Sequence, residues 1–392
     1  MSKSGSSKSQ SLLLLVAGAK GAVGSTLAVA AAAMRNHPEE VLPSLTTGQV
    51  FSYLGPSQPV YMAGWDTTER SLCQAIGAHG ALPESIWKPY ADEIDQVQVK
   101  MAPSAAPSLQ GQVEQLKLDI QEFRDNHSNA RAVLVNLLPA CAQAGLSHCR
   151  SLSQVYSEAD PSGFPDLSYA IAAILTGVPV VNFTPNEVEI PVIINEAVSK
   201  SVPISGRDGK TGQTYLKVVL ASALRARNLL VDGWYSLNIL GNEDGRNLMT
   251  PEKAAGKLAN KTEILDEILG YKVGERYGVP THKVQIDYYP PRGDAKEAWD
   301  VIDLLGLFGL PMSIRLNLQG RDSVLAAPLV LDLARWMVVL QMAARSGPIP
   351  ELGFFFKQPV GDSPPVTFQD QVAKLHELEQ ECSRKISADS RK

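Results

Sequence analysis

A short apolar stretch followed by a glycine-rich turn near the N-terminus, SLLLLVAGAKGAVGST, constrains the fold most. The unbroken apolar run Leu12–Ala17 predicts a strand buried on both faces, as in a parallel sheet. Gly18, Gly21 and Gly24 then allow a tight turn, and the alanine-rich segment Ser25–Met34 predicts a helix. A strand, a glycine turn and a helix in this order predict dinucleotide binding, with the pyrophosphate at the helix N-terminus. A plain tight turn is the alternative.

Later segments repeat the alternation of strand and helix. VYMAGWD (Val60–Asp66) and ARAVLVNLLP (Ala130–Pro139) predict strands, and Val178–Asn182 predicts another after a helix that stops at Gly177. Asp66 ends its strand, where it could accept hydrogen bonds from an adenosine ribose or simply cap a helix. The alternation predicts an α/β fold with a doubly wound, Rossmann-type domain.

Composition excludes several function classes. The chain has 392 residues, a formal net charge of −5 and no long basic tract, which argues against nucleic acid or membrane-surface partners. Its four cysteines form no C-x-x-C pair, which argues against a zinc ribbon or a redox-active pair. Four scattered cysteines in a chain of this length fit a reducing cytoplasm. The N-terminal apolar run is short for a signal peptide and leads into the glycine turn, so a buried strand is preferred. The apolar segment SVLAAPLVLDLARWMVVLQMAA is interrupted by Pro328, Asp332 and Arg335 and predicts a core helix.

The stretch GRDGKTGQTYLK contains the Gly-Lys-Thr that closes a nucleotide-triphosphate P-loop. A P-loop requires glycine at position 204, which is Ile204, so an ATPase-type cradle is excluded. What remains is a polar turn before a helix. It displays Asp208, Lys210 and Thr211 and could bind an anion through backbone N–H groups.

Lysines recur in the second half of the chain. Lys257 and Lys261 are spaced to share one helix face, where each lowers the pKa of the other. Such a pair can move protons or hold an oxyanion, although a solvated basic face is the ordinary interpretation. Lys296 follows the acid in GDAK, and Lys357 stands within an aromatic run. Each of these also has an ordinary interpretation as a turn or a snorkelling side chain.

Together these motifs resemble the myo-inositol-1-phosphate synthase family. The resemblance covers most of the chain and rests on GAKGAVGST, GWD, GVPVVNFTPN, GRDGKTGQT, LGNEDGRNL, GDAK and RDSVLAAPLVLDL. It implies conversion of D-glucose 6-phosphate to 1D-myo-inositol 3-phosphate by C5 oxidation, enolisation, aldol closure and re-reduction, with recycled NAD. A cytoplasmic homotetramer is implied as well, and a monovalent or divalent cation is a further candidate cofactor.

The resemblance also implies site residues. The catalytic set is Lys257, Lys261, Lys296, Lys357, Asp208, Asp294 and Asp322. The substrate-binding set is Asn242, Asp244, Lys210, Thr211, Gly212 and Gln213. The NAD-binding set is Gly18, Lys20, Gly21, Ala22, Val23, Gly24, Ser25, Asp66, Asn136, Asn182, Thr184 and Asp208. Lys257 and Lys296 are assigned to the C5 oxygen, and Lys261 and Lys357 to the aldehyde oxygen and phosphate.

The predicted organisation is a disordered segment 1–10, a Rossmann domain 11–196 completed by 316–392, and an inserted α+β catalytic and oligomerisation domain 197–315. Three residues depart from the family in charge: Arg207, Glu243 and Arg321. Alternatives are therefore a dehydrogenase or cyclase of another sugar phosphate, a dehydrogenase with net oxidation, and an inactive NAD-binding homologue.

Overall fold

The computed structural model describes residues 11–38, 58–103, 108–141, 145–241, 245 and 264–389. Its larger sheet has seven parallel strands in the order β11-β6-β5-β4-β1-β2-β3. The strands are β1 (Ser11–Ala17), β2 (Val60–Asp66), β3 (Gln98–Met101), β4 (Ala130–Asn136), β5 (Val180–Asn182), β6 (Pro203–Ser205) and β11 (Gly347–Pro348). The predicted doubly wound sheet is confirmed.

Helices cover both faces of this sheet. They are α1 (Ala22–Asn36), α2 (Leu72–His79), α3 (Glu84–Trp87), α4 (Ala91–Asp95), α5 (Leu109–Asn126), α6 (Leu152–Glu158), α7 (Pro165–Leu175), α8 (Pro191–Ser199), α10 (Asp322–Met342) and α11 (Phe368–Asp389). One core joins α1, α10 and α11 to one face, and a second joins α5, α7 and α8 to the other. Strand β1 lies inside the sheet, between β4 and β2, and its leucines are at most 1% exposed, because both faces are covered.

The smaller sheet has four strands in the order β10-β9-β7-β8. They are β7 (Leu230–Leu240), β8 (His282–Tyr288), β9 (Ala295–Leu305) and β10 (Pro311–Arg321). The β7–β8 pair is parallel, and β9 runs antiparallel to both of its neighbours. One face packs against helix α9 (Gly212–Ala226) and residues 264–269, while the other face carries exposed side chains. This sheet and the helix on it correspond to the α+β domain that the sequence predicts.

The long apolar segment forms α10, which continues through Pro328. Among the described residues it is the one helix long and apolar enough to cross a bilayer, but 78% of its apolar window is buried in the fold. The core helix predicted there is confirmed. Helix α2 begins after Ser71, which is its N-cap and forms a capping box with Gln74.

The domain boundaries remain a prediction. Strand β6 belongs to the larger sheet, although it follows residue 197, and β10 belongs to the smaller sheet across residue 316. A division by sheet membership therefore falls after Ser205 and after Arg321.

Candidate active site

The glycine turn leaves the N-terminus of α1 open. Gly18 has φ +84°, and a Cβ on Gly24 would lie 2.5 Å from the carbonyl oxygen of Ala19. Gly21 is the N-cap, so no side chain caps the helix, and its first turn contains no acid. The first-turn N–H groups, at Ala22 and beyond, are therefore available to an anion, as a dinucleotide pyrophosphate requires.

Asp66 lies beside this turn, at the carboxyl end of β2. Its Oδ2 accepts the backbone N–H of Lys20 at 2.8 Å, and its Oδ1 accepts that of Thr68 at 3.1 Å. A carboxylate has about four acceptor sites, so lone pairs remain for ribose hydroxyls. The Lys20 ammonium donates to the Thr68 carbonyl at 2.7 Å. The chain therefore fits NAD at both its pyrophosphate and its adenosine ribose.

A buried polar network follows strands β4 and β5. The Nδ2 group of Asn136 donates to Asp166 Oδ2 at 2.7 Å and to Asn182 Oδ1 at 3.1 Å. The hydroxyl of Thr184 and the amide of Asn186 donate to the same Asp166 oxygen, at 3.3 and 2.8 Å. Burial raises the pKa of Asp166. Because these side chains bond one another, they set the shape of the turn that would face a cofactor.

Asp208 joins three segments. Its φ is +59°, and the residue is 5% exposed. Its backbone N–H donates to the Thr184 carbonyl at 2.8 Å. Its Oδ1 accepts the Lys357 ammonium at 2.7 Å, and its carbonyl accepts the Lys357 N–H at 2.8 Å. The predicted catalytic residues Asp208 and Lys357 therefore form an ion pair beside the cofactor turn.

A second lysine–aspartate pair lies where β9 and α10 begin. The Lys296 ammonium is 3.1 and 3.3 Å from the two carboxylate oxygens of Asp322, and Thr211 Oγ1 donates to Asp322 at 3.4 Å. Asp294 Oδ2 accepts the hydroxyl of Ser323 at 2.9 Å. Four of the predicted site residues thus meet at one end of α10.

Three buried polar residues of this region escaped the sequence analysis. Asp300 accepts the Gln213 amide at 2.9 Å and the Ser236 hydroxyl at 2.5 Å. Asn238 is 1% exposed, and neither polar atom of its side chain has a partner within the described part of the chain. The signal was strand alternation, because Ser236 and Asn238 occupy buried positions on β7 between Trp234 and Leu240.

Lys210 points away from these pairs. Its ammonium donates to the Gly353 carbonyl at 3.0 Å and to Gln371 Oε1 at 2.8 Å, and burial lowers its pKa to about 7. Gly212, the first residue of α9, packs closely on β10, since a Cβ there would lie 3.1 Å from Leu318. Four predicted residues lie outside the described ranges: Asn242, Asp244, Lys257 and Lys261.

One group of potential metal ligands occurs among the described residues. Donor atoms of His148, Cys149 and Glu158 lie within 4.8 Å of one another. His148 Nε2 is 2.5 Å from Glu158 Oε2, so a direct hydrogen bond already fills that space. None of the three is a predicted site residue.

Comparison with known proteins decides the family. A family model described as myo-inositol-1-phosphate synthase matches residues 212–323. Inositol-3-phosphate synthase 1 of Bacteroides thetaiotaomicron is 34% identical over 363 residues, covering 87% of this chain and 83% of that protein. The chain belongs to the myo-inositol-1-phosphate synthase family.

Other relatives agree with this family membership. Inositol-3-phosphate synthase of Brassica napus is 29% identical over 304 residues, which cover 70% of this chain and 58% of the plant protein. The crystal structure of inositol-3-phosphate synthase from Caenorhabditis elegans shares the fold, with a TM-score of 0.80 at 20% identity. That match covers 96% of this chain and 86% of the nematode chain.

Two of the three departures from the family have charged or polar partners. Arg207 Nη1 lies 3.1 Å from Glu187 Oε1. Arg321 Nη1 donates to the carbonyl oxygens of Gly80 and Ala81, at 2.6 and 2.8 Å, and so ties β10 to the end of α2. Glu243 lies outside the described residues.

Proposed function

We propose that this chain is an inositol-3-phosphate synthase, an isomerase that converts D-glucose 6-phosphate to 1D-myo-inositol 3-phosphate with catalytic NAD. One observation supports it above the others. The turn Asp208–Thr211 connects both lysine pairs, because Asp208 binds Lys357 while Thr211 binds the Asp322 that holds Lys296. The turn therefore joins the cofactor side of the larger sheet to the smaller sheet.

NAD would be held by backbone and side-chain groups already described. The first-turn N–H groups of α1 suit the pyrophosphate, Asp66 suits the adenosine ribose, and the turn around Asn182 and Thr184 would border the nicotinamide. When bound, NAD supplies a hydride acceptor and donor, which a redox-neutral isomerisation needs.

The lysines supply the charge that the sugar chemistry requires. Enolisation and ring closure both develop negative charge on oxygen, and the substrate carries a phosphate. A partly buried ammonium stabilises such an oxyanion more strongly than water does. Lys296 is 16% exposed and Lys357 is 16% exposed in their side chains, so both are reachable yet largely shielded. We assign Lys296, with Lys257, to the C5 oxygen, and Lys357, with Lys261, to the aldehyde oxygen and phosphate.

The test is conversion of glucose 6-phosphate by the purified full-length chain supplied with NAD. Inositol phosphate should form, as measured by mass spectrometry, without accumulation of NADH by absorbance. Steady NADH accumulation would instead identify a dehydrogenase. NAD binding without inositol phosphate, across monovalent and divalent cations and after chelation, would reject the substrate. The cation series also tests the proposed cation cofactor.

We also propose a cytoplasmic homotetramer. The outer face of the smaller sheet exposes Tyr235 and Trp299 by 46% and 47%, and the β9–β10 hairpin exposes Phe308 by 89%. Apolar surface of this kind marks protein contacts, and a second copy would cover it. All four cysteines are free thiols, which supports a location in the reducing cytoplasm. Light scattering should give a molar mass four times that of one chain. The double substitution Phe308→Asp and Trp299→Asp should lower the measured mass.

A further inference from the structure

Asp300 lies on the inner face of the smaller sheet and accepts hydrogen bonds from three different donors. Its Oδ1 accepts the Trp234 indole N–H at 2.7 Å and the Ser236 hydroxyl at 2.5 Å. Its Oδ2 accepts Nε2 of Gln213 at 2.9 Å. Asp300 is 2% exposed and Gln213 is 3% exposed, so water competes little for these bonds. The contacts with Trp234 and Ser236 of the sheet therefore fix the orientation in which the carboxylate meets Gln213.

A second charged group supports the carboxylate from α9. The Lys217 ammonium lies 5.8 Å from the centre of the Trp234 ring and 2.7 Å from His282 Nε2. Burial lowers the pKa of Lys217 to about 8, against the opposing attraction of Asp300. Asp300 therefore lies among three hydrogen-bond donors, and the Lys217 ammonium contacts the ring of one of them.

Because Asp300 Oδ2 accepts this hydrogen bond, it determines how the Gln213 amide is turned. The NH₂ end must face Asp300, and the carbonyl end faces the opposite way. Gln213 Oε1 is buried and has no hydrogen-bond partner among the residues that the structure describes. Gln213 lies two residues after Thr211, which binds Asp322 of the Lys296 pair. A buried acceptor without a partner is costly, and a substrate donor would relieve that cost.

We propose that Asp300 is a positioning residue that fixes the Gln213 amide so that Oε1 accepts a hydrogen bond from a hydroxyl of the sugar phosphate. This inference rests on the proposed function, since it names a contact of the same substrate. A site that presents a buried acceptor selects a hydroxyl and rejects an analogue that lacks it.

Asp300→Asn tests the proposal by reversing one bond. The new side chain keeps an oxygen for Trp234 and Ser236, and its amide then faces Gln213, donor against donor. Gln213 should turn over and present Nε2 to the sugar. We expect kcat/KM for glucose 6-phosphate to fall about tenfold to hundredfold, with a matching rise in the calorimetric Kd of the sugar phosphate. The affinity for NAD alone should not change.

A second substitution should rescue the first. In the Asp300→Asn background, Gln213→Glu offers one oxygen to the new amide and the other to the sugar. The double variant should recover about tenfold in kcat/KM over Asp300→Asn. Gln213→Glu alone sets two carboxylates against each other, so its activity relative to wild type should rise as the pH falls. This pH profile tests the proposal even if Asp300→Asn does not fold.

Asp119→Asn is the matched control. Asp119 is also buried, and it also accepts an indole N–H from Trp65, an amide from Gln115 and a contact from Lys100. It lies on α5, so its loss should lower the melting temperature while kcat/KM stays within about twofold.

Three results would overturn the proposal: unchanged kcat/KM and Kd in Asp300→Asn, a double variant no better than Asp300→Asn, or a pH-independent ratio for Gln213→Glu. Failure of the proposed function would instead appear in the wild type, which would form no inositol phosphate.

Discussion

In the network that follows β4 and β5 of the larger sheet, the buried acid Asp166 is satisfied by neutral amides and a hydroxyl. Where β9 and α10 begin, and in the turn that follows β6, an aspartate is instead paired with a lysine. Asp166 accepts three neutral donors and is 0% exposed. Asp322 instead holds the ammonium of Lys296, with side chains 28% and 16% exposed.

The difference separates two tasks. A buried network of neutral donors has fixed geometry and no ion pair to exchange, so it suits a surface that must keep its shape for a cofactor. A partly open ion pair can exchange one partner for a substrate oxygen, at little cost compared with a fully buried pair. The comparison therefore predicts that the lysine pairs control the rate, whereas the glycine turn and amide network control cofactor affinity and stability.

Lys296→Met should produce the largest effect and separate the two regions most clearly. Removing one ammonium from a developing oxyanion should lower kcat about 10²- to 10³-fold, while the Kd for NAD stays unchanged. Kinetics and calorimetry measure the two quantities. Lys374→Met, at an exposed lysine of α11, is the control and should leave both unchanged. Equal losses in kcat and NAD affinity would show that the two regions do not act separately.

Gly24→Ala should affect the glycine turn through its backbone. The new Cβ would lie 2.5 Å from the Ala19 carbonyl oxygen and 2.6 Å from that of Gly18, and both are main-chain atoms. We expect a loss of about 1–3 kcal/mol in the free energy of unfolding, together with weaker NAD binding.

Gly77→Ala in α2 is the matched control for that substitution. A Cβ there meets nothing within 4 Å, so a gain of about 0.5–1 kcal/mol is expected. A Gly24→Ala protein with normal stability and NAD affinity would contradict the close packing of this turn.

Glu189→Gln should change how the stability of the larger sheet depends on pH. Glu189 is buried, and desolvation raises its pKa from 4.5 to about 7, although Asn182 donates to it and Arg207 attracts it. Between these values the folded state binds a proton that the unfolded state lacks. The free energy of unfolding of the wild type should therefore fall as the pH rises through that window, by at most about 1.4 kcal/mol per pH unit.

Urea unfolding at pH 5 and pH 8 measures this effect. The stability of Glu189→Gln relative to wild type should increase from pH 5 to pH 8, because glutamine carries no charge to bury. A difference that stays constant with pH would mean that Glu189 is ionised throughout.

The parts of the fold that sequence predicts are local. The strand β1, its glycine turn and α1 follow from one continuous pattern, since burial and turn chemistry act within a few residues. Asp300 and Gln213 are 87 residues apart in sequence and meet only because helix α9 packs on the smaller sheet. Lys210 stands in the motif that suggested a phosphate site, yet its ammonium turns toward Gly353 and Gln371. Such directions depend on tertiary packing, which residue types and spacing do not encode locally.

Arg207→Asp should produce the smallest effect, and it tests whether a departure from the family alters the boundary between the two regions. Arg207 pairs with Glu187 at 3.1 Å, with side chains 25% and 43% exposed, so solvent screens the pair. We expect a loss of at most about 1 kcal/mol in the free energy of unfolding. The substitution also removes a charge that lowers the pKa of Glu189, so the pH window of that group should move upward.

A double-mutant cycle with Glu187→Gln measures the coupling in this pair, and initial rates across a cation series measure function. We expect small coupling and unchanged cation dependence, because the contact of Asp208 with Lys357 does not involve the Arg207 side chain. Higher activity or a new cation requirement in Arg207→Asp would contradict this expectation. Arg207 would then tune the lysine pair next to it, and the separation between a fixed cofactor surface and an exchangeable charged site would fail at this residue.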